Sequence, residues 1–340
     1  MALLAVLVMA CSQGQPAANN AVTPSPSNAV TPSPNNAVNP SPDNAVNPSP
    51  GNAVNPSPSS CRLPVSIADR GGHLQGAFID YASGSVTIDP TGANGAYYDH
   101  DFSRWLPVNQ SAVSPDGSRY AHLDIKVAGT AAPQRLHVID ISTGMDKPYE
   151  LAPTGDPAGY SIISFGGEGI WLSYAGWEGP RIGLFLLDLT TGRLKDVGGQ
   201  QMILDAVSGG PGVFWFTDGG PNPQPSGIGF IIPARLNRLT IEDSKTLGWF
   251  TKDGSGLTVF GTDLVGHPIF GTSDQAGGFD VWIAGAPGEA TRIDLPAGFY
   301  QALADSRGVW FGGDQGIYLY LGADVHKVSD QKGAPAGTCA

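Results

Sequence analysis

The sequence has few basic residues, few cysteines and no long apolar run. Lysine and arginine number 18 against 30 acidic residues, so the formal net charge is −12 at pH 7. An acidic chain without a basic cluster argues against binding to nucleic acid, or directly to anionic lipid. No apolar segment is long enough to span a membrane as a helix, and none keeps helical periodicity for three turns. These absences exclude a nucleic-acid-binding, transmembrane or mainly helical protein.

Residues 1–60 contain no lysine, arginine, glutamate or aromatic residue, and 29 prolines are present in the whole chain. Residues 19–58 consist of five octads, NNAVTPSP, SNAVTPSP, NNAVNPSP, DNAVNPSP and GNAVNPSP. Such a segment cannot bury enough apolar surface to offset the entropy of ordering it, and its prolines block helix formation. We expect residues 11–60 to be a disordered spacer, in which the octads at 19–58 could reach roughly 120 Å if fully extended.

The first ten residues are mostly apolar and lead to Cys11. The segment Val8–Cys11 resembles the lipobox of bacterial lipoproteins, which implies that Cys11 carries the lipid. Signal peptides begin with a basic residue, whereas Met1 leads directly into the apolar run, so we expect the true start to lie upstream. The resemblance implies an exported protein that touches the bacterial membrane only through its lipid anchor, with its folded domain outside the cytoplasm.

Cys61 and Cys339 lie at the two ends of the remaining segment, residues 61–340. Domain termini often lie close together, and disulfides persist in exported proteins. We therefore expect one folded domain over residues 61–340, closed by a disulfide between these cysteines. No CxxC pair or histidine cluster accompanies them, so no metal site is predicted.

Short apolar runs and tight polar turns alternate along this domain, which predicts an all-β fold. LHVIDISTG at 136–144 matches LFLLDLTTG at 184–192, and residues 77–84 form a weaker copy. Each copy reads as a strand, a turn and a second strand, and another strand pair precedes several of them. Looser copies lie at 238–246, 281–288 and 317–325, and the preceding pairs at 112–121, 162–174, 206–216, 250–260 and 302–311.

A four-stranded unit that recurs every few tens of residues is typical of a β-propeller. The length of the domain favours about six blades, with five or seven left open. Residues 114–121, SPDGSRYA, resemble the strand and turn of WD-like propellers such as the periplasmic Tol-system propeller. The DxxTG turns at 140–144 and 188–192 resemble those of quinone-type propeller repeats. The whole arrangement resembles exported bacterial propeller lipoproteins, and these resemblances imply a fold without an activity.

No catalytic, metal-binding or cofactor-binding motif stands out, so no catalytic residue, metal or cofactor is predicted. The sequence contains no GxSxG elbow, no HxxxH or HxH pair, no CxxCH and no EF-hand loop. Asp99, His100 and Asp101 form the densest polar cluster, which a loop before Phe102 explains. On a strand, alternation would place Asp99 and Asp101 on one face and His100 on the other.

Most tryptophans lie inside predicted strands, where we expect them to fill the gaps between blades. Trp177 lies instead in a Gly-rich loop, and Asn222 and Gln224 lie in a long polar loop at 218–226. Because propeller loops often carry recognition, these three residues are the candidate ligand contacts. The leading hypothesis is a monomeric, surface-anchored propeller that binds a protein, peptide or glycan through its loop face. The alternatives are an envelope glycoside hydrolase or lyase with an acidic site in the propeller channel, and a purely structural envelope component.

Overall fold

Strands separated by tight Asx and glycine turns dominate the computed structural model. It describes residues 61–68, 73–124, 133–151, 159–175, 182–197, 203–219, 233–252, 255–274 and 278–340. The chain divides into the units Met1–Asn55 and Pro56–Ala340, and every described residue belongs to the second unit. Cys11 and the octads lie outside the described residues. Within the described ranges, the sheets form a six-bladed β-propeller with almost no helix, which confirms the predicted fold class.

The first third of the propeller contains two blades and an inserted hairpin. Blade 1 holds β1 (Arg62–Ala68), β2 (Leu74–Asp80) and β3 (Val86–Ala93). A separate hairpin follows, formed by β4 (Tyr97–Asp99) and β5 (Arg104–Leu106), and then a 3₁₀ turn at Gln110–Ala112. Blade 2 holds β6 (Arg119–Leu123), β7 (Gln134–Asp140) and β8 (Asp146–Leu151). Its inner strand is reduced to the bridge between Val113 and Tyr120.

The other four blades are complete antiparallel four-stranded sheets. Blade 3 holds β9 (Gly159–Gly166), β10 (Gly169–Ala175), β11 (Ile182–Leu187) and β12 (Leu194–Asp196). Blade 4 holds β13 (Asp205–Ser208), β14 (Val213–Asp218), β15 (Arg235–Thr240) and β16 (Lys245–Thr251). Blade 5 holds β17 (Gly256–Thr262), β18 (Pro268–Ser273), β19 (Phe279–Ala286) and β20 (Glu289–Ile293). Blade 6 holds β21 (Phe299–Asp305), β22 (Gly308–Gly313), β23 (Gly316–Leu321) and β24 (Asp324–Ser329).

The second strand of a blade is apolar on both faces because it packs against two neighbouring blades. On β22, Val309 and Phe311 pack into a cluster with β18 and β19 of blade 5. Trp310, between them in sequence, points the other way into a cluster with β1 and β2 of blade 1. Trp171 on β10 and Trp215 on β14 likewise pack into clusters that include residues of the following blade. The predicted inter-blade role of these tryptophans matches these contacts.

The DxxTG turns end the third strand of their blades with one repeated geometry. Asp140 Oδ1 accepts hydrogen bonds from the Thr143 backbone N–H at 2.8 Å and from the Ser142 hydroxyl at 2.7 Å. Gly144 has a φ of 70°, which a residue with a side chain rarely adopts. Asp188 caps the second DxxTG turn in the same way, accepting the backbone N–H of Thr191 at 3.1 Å.

Acidification is expected to weaken these turns. The hydrogen bond from Ser142, followed by those from Thr143, lowers the pKa of Asp140 to about 2. Because this folded-state pKa lies below the unfolded value of about 3.9, the ionised turn adds stability above about pH 4 and loses it toward pH 2. Asp140→Asn should therefore lower the melting temperature at pH 7, and the difference from the wild type should shrink between about pH 4 and pH 2.

Thermal unfolding of both proteins across this pH range measures the effect. The matched control is Asp294→Asn, because Asp294 is exposed and its carboxylate accepts no hydrogen bond from any described residue. A difference for Asp140→Asn that stays constant down to pH 2 would contradict the assignment of the stabilisation to the ionised carboxylate.

The ring is closed by a strand from the far end of the domain. Residues Ala334–Pro335 form β25, which pairs with Val65 and Ser66 of β1 and becomes the inner strand of blade 1. The Ala336 N–H donates to the Pro64 carbonyl at 2.8 Å, and the Arg62 N–H donates to the Ala340 carbonyl at 3.0 Å. The predicted disulfide joins Cys61 to Cys339, with Cα atoms 5.5 Å apart.

One sequence prediction about strand pairing is wrong. Residues 250–260 are not a hairpin, because β16 ends blade 4 at Thr251 and β17 begins blade 5 at Gly256. The hairpin of blade 5 is β17 with β18, whose turn spans 263–267. Residues 62–104 depart from the four-stranded pattern, because blade 1 takes its inner strand from β25 and β4–β5 forms a sheet of its own.

Candidate functional site

A polar cleft of about 440 Å³ lies between the β4–β5 hairpin and the first turn of blade 2. The hairpin contributes its turn, the 3₁₀ segment contributes one side of the wall, and the segment after β25 contributes Thr338. The lining residues are Tyr97, Asp99, His100, Asp101, Gln110, Val113, Ser114, Pro115, Gly117 and Thr338. Two neighbouring stretches, 97–101 and 110–117, and the distant residue Thr338 therefore build one site.

Two carboxylates of the cleft converge on Gly117. Asp99 is 4% exposed, and its Oδ1 accepts the Phe102 N–H at 3.1 Å. A Cβ placed on Gly117 would lie 3.7 Å from Asp99 Oδ2 and 3.4 Å from Asp101 Oδ2. Gly117 also has a φ of 68°, so its turn favours glycine. The missing side chain leaves the space in front of both carboxylates open.

His100 ties the hairpin to the segment that closes the ring. Its Nε2 lies 2.8 Å from the Thr338 carbonyl oxygen, and because a carbonyl only accepts, Nε2 carries the proton. The His100 ring packs edge-on to Tyr98 at 5.1 Å, and the Tyr98 N–H donates to the Ala336 carbonyl at 2.6 Å. These contacts fix the position of the hairpin turn that carries Asp99 and Asp101.

The remaining polar side chains of the cleft are held by their neighbours. Burial raises the pKa of Tyr97, the negative charge of Asp99 raises it further, and a hydrogen bond with Gln110 lowers it. The Ser114 hydroxyl donates to Asp116 Oδ1 at 2.6 Å and accepts the Arg119 N–H at 2.9 Å. That bond from Ser114 is the largest of the contacts that lower the pKa of Asp116 to about 2. Ser114 is therefore part of a structural turn, and its carboxylate partner Asp116, with a pKa of about 2, is too weak a base to make it a nucleophile.

Carboxylates on the inner strands serve to join neighbouring blades. Asp205 on β13 accepts the Val259 N–H of β17 at 3.1 Å through Oδ2, and burial raises the pKa of Asp205. Asp305 on β21 accepts the Cys339 N–H at 2.8 Å. Gln134 joins blades 2 and 3 in a related way, because its Oε1 accepts the Tyr160 N–H at 2.7 Å. These side chains contribute to the closure of the ring.

The structure changes the ranking of the sequence candidates. Trp177 falls between β10 and β11, and Asn222 and Gln224 fall between β14 and β15, all three outside the described residues. Asp99, His100 and Asp101, which the sequence explains as a loop, all line one cleft. Asp99 is the end of β4, and the His100 side chain lines the same cleft as both carboxylates, unlike the strand alternation considered from the sequence.

Among the ranges that the structure describes, no group of three or more His, Cys, Asp or Glu side chains is arranged to hold a metal ion. None of the described helical segments has the length and apolar character needed to cross a membrane. The site is thus defined by its two carboxylates and by the shape of the cleft.

Comparisons with known proteins assign no family to the chain. No family model matches the chain, and no curated protein sequence matches it significantly. TolB from Acinetobacter baumannii is 13% identical with a TM-score of 0.48, over 82% of this chain and 67% of TolB. A prolyl endopeptidase is 13% identical with a TM-score of 0.48, over 80% of this chain and 49% of the endopeptidase. The β-propeller domain of the trilobed protease from Pyrococcus furiosus is 12% identical with a TM-score of 0.45, over 79% of each chain.

The chain thus spans about two thirds of TolB and about half of the prolyl endopeptidase. At these identities the likeness concerns the fold and carries no activity over to this chain.

Proposed function

We propose that this protein is an exported binding propeller whose ligand site is the cleft beside the β4–β5 hairpin. The observation that carries the proposal is the buried carboxylate of Asp99, which lines an open cleft of about 440 Å³ together with Asp101. Cavities of this size with a few convergent polar groups are typical of ligand sites. The partner is a protein, peptide or glycan, and the protein acts as a monomer.

Export and anchoring belong to the same proposal. The lipobox-like segment ending at Cys11 supports a lipid anchor, and the octads at 19–58 support a spacer between the anchor and the propeller. The disulfide between Cys61 and Cys339 is compatible with an oxidising compartment outside the cytoplasm. A spacer of this kind would hold the cleft away from the membrane surface.

Binding explains the cleft better than nucleophilic catalysis does. A catalytic serine needs a base within hydrogen-bond reach, whereas Ser114 is bonded to Asp116 and Arg119. His100, the one histidine among the described residues that line the cleft, uses Nε2 to hold the Thr338 carbonyl. The polar groups are arranged to hold the hairpin in place and to present two carboxylates.

Filling the cleft is expected to abolish ligand capture without unfolding the protein. Gln110 is exposed on the 3₁₀ segment and lines the cleft, so Gln110→Trp places an indole in the cavity. Peptide and glycan arrays probed with the full chain and with Gln110→Trp measure the effect. We expect the apparent affinity for every ligand that the wild type captures to fall at least about tenfold, a loss of about 1.4 kcal/mol.

The matched control is Gln315→Trp, which places the same side chain at an exposed turn of blade 6. It should bind like the wild type, and both variants should melt near the wild-type temperature. Array signals that survive Gln110→Trp unchanged would show that the cleft is not the ligand site.

A second candidate, an envelope glycoside hydrolase or lyase, is favoured by one observation. Asp99 and Asp101 line the same cavity, and glycosidases use pairs of carboxylates on either side of the scissile bond. Incubation of the full chain with the oligosaccharides that bind on the array decides between the two functions. Product formation that Asp101→Asn abolishes supports the enzyme, whereas binding without turnover supports the binding propeller.

A further inference from the structure

The charge of the cleft is not balanced by a lysine or arginine of its own. Among the described residues, its lining contains two carboxylates and no such residue. The nearby Arg104 instead donates to the Ile141 carbonyl at 3.0 Å, and Arg119 packs over the Phe165 ring at 5.5 Å. His100 forms no ion pair within 4 Å of either carboxylate in the described part of the chain. The electrostatic potential of the cleft therefore favours a positively charged guest.

Both carboxylates have oxygens that accept no hydrogen bond from a described residue. Asp99 is 4% exposed, yet only its Oδ1 accepts a hydrogen bond from a described residue, the Phe102 N–H. Asp99 Oδ2, on the side of Gly117, accepts none, and neither oxygen of Asp101 accepts one. Oδ2 of Asp99, on the side of Gly117, is thus an unused acceptor for a donor that enters the cleft.

The geometry suits an ammonium group on a flexible apolar stem. An ammonium ion has three donors on one atom, so it can donate to two carboxylates at once. The Oδ2 atoms of Asp99 and Asp101 both lie within 4 Å of the Cβ position that Gly117 leaves empty, so the two acceptors lie beside the same part of the cleft. Tyr97, Val113 and Pro115 supply apolar surface along the wall, and lysine stems pack on surfaces of this kind.

We propose that the cleft binds the side-chain ammonium group of a lysine presented by a peptide partner, with Asp99 and Asp101 as its acceptors. The proposal rests on the proposed function, because it names the partner class of the same cleft. It assigns the recognition to charge-assisted hydrogen bonds, which are roughly twice as strong as neutral ones.

Calorimetric titration of the full chain with short lysine peptides tests the proposal. The probes are an acetyl-Gly-Lys-Gly-amide peptide, the same peptide with acetylated lysine, glucosamine, and calcium chloride. We expect the lysine peptide to bind at least about tenfold more tightly than the acetyl-lysine peptide, because acetylation removes the charge and two donors. We expect Asp101→Asn to weaken the lysine peptide by a similar factor, and Asp99→Asn with Asp101→Asn to weaken it further.

The asparagine variants keep an oxygen that can accept the Phe102 N–H, so they should fold. The matched control is Asp294→Asn, which removes the same charge from an exposed site on blade 5 and should bind like the wild type. Equal affinity for lysine and acetyl-lysine peptides, or an equal loss in Asp294→Asn, would overturn the proposal. Tighter binding of glucosamine or calcium than of the lysine peptide would overturn it too.

A failure of the lysine proposal can be distinguished from a failure of the proposed function. If the cleft is a ligand site for another class of partner, Gln110→Trp abolishes array binding while the lysine peptide shows no heat. If the cleft binds nothing, array binding is insensitive to Gln110→Trp.

Discussion

Replacing Cys61 and Cys339 together with serine is expected to lower the free energy of unfolding by about 5 kcal/mol. The two cysteines are 278 residues apart in sequence, so the disulfide restricts nearly the whole domain in the unfolded state. The chain-entropy relation assigns the largest stabilisation to loops of this length. The contacts of the folded state also make the disulfide important for closing the ring, because the β25 strand that pairs with β1 has only two residues, Ala334 and Pro335.

Urea denaturation followed by tryptophan fluorescence measures this effect. Oxidised wild type, reduced wild type and the double variant should be compared, and the last two should unfold at the same, lower urea concentration. If the double variant does not fold during expression, reduction of the folded wild type gives the same comparison. Equal midpoints for the oxidised and reduced wild type would contradict the predicted role of the disulfide.

Trp310→Ala is expected to lower the free energy of unfolding by about 4 kcal/mol. Trp310 is 0% exposed and packs between blades 6 and 1 against Leu63 and Val65. Its ring also contacts the edge of Tyr81 at 5.7 Å between ring centroids. Removing the indole would leave a large cavity at the interface where the ring closes, and such cavities relax only partly.

The effect of packing at Trp310 can be measured without a change in hydrogen bonding, because of its indole nitrogen. Within the described residues Nε1 has no hydrogen-bond partner, so Trp310→Phe loses volume without losing a bond. We therefore expect Trp310→Phe to be clearly less destabilising than Trp310→Ala in the same urea experiment. The matched comparison is Trp249→Ala, at a partly buried tryptophan of blade 4. Its free energy of unfolding should also fall by less than that of Trp310→Ala. An equal loss for Trp249→Ala and Trp310→Ala would contradict the importance of the closing interface.

The blade pattern could be predicted because its turns and strands have local sequence signals. The Asp and Gly residues of the DxxTG turns, together with the apolar runs on either side, identify hairpins without knowledge of the rest of the chain. The blade 5 hairpin was mispredicted because its true turn contains Leu264 and Val265, which are 65% and 75% exposed. Apolar residues at an exposed turn mimic a strand, whereas the Asp-Gly pair at 253–254 mimics a hairpin turn.

The closing strand and the cleft could not be predicted because they depend on contacts between distant residues. The sequence of β25, Ala334–Pro335, is short and contains a proline, which gives it no strand signal of its own. The cleft requires the hairpin at Asp99, the turn at Gly117 and the segment at Thr338 to meet. No local pattern relates these positions, so only the topology of the ring reveals them.

The pairing of β25 with β1 has a consequence for how the domain is assembled. Blades 3 to 6 are each made from consecutive strands, so each can form as soon as its own segment is available. Blade 1 must wait for residues 334–335, and contacts with such long sequence separation make folding slow. Until then the inner edge of β1 has no partner, which leaves a strand edge open to pairing with other chains. The propeller, and the cleft wall at Thr338, are therefore completed late in folding, when the C-terminal segment pairs with β1.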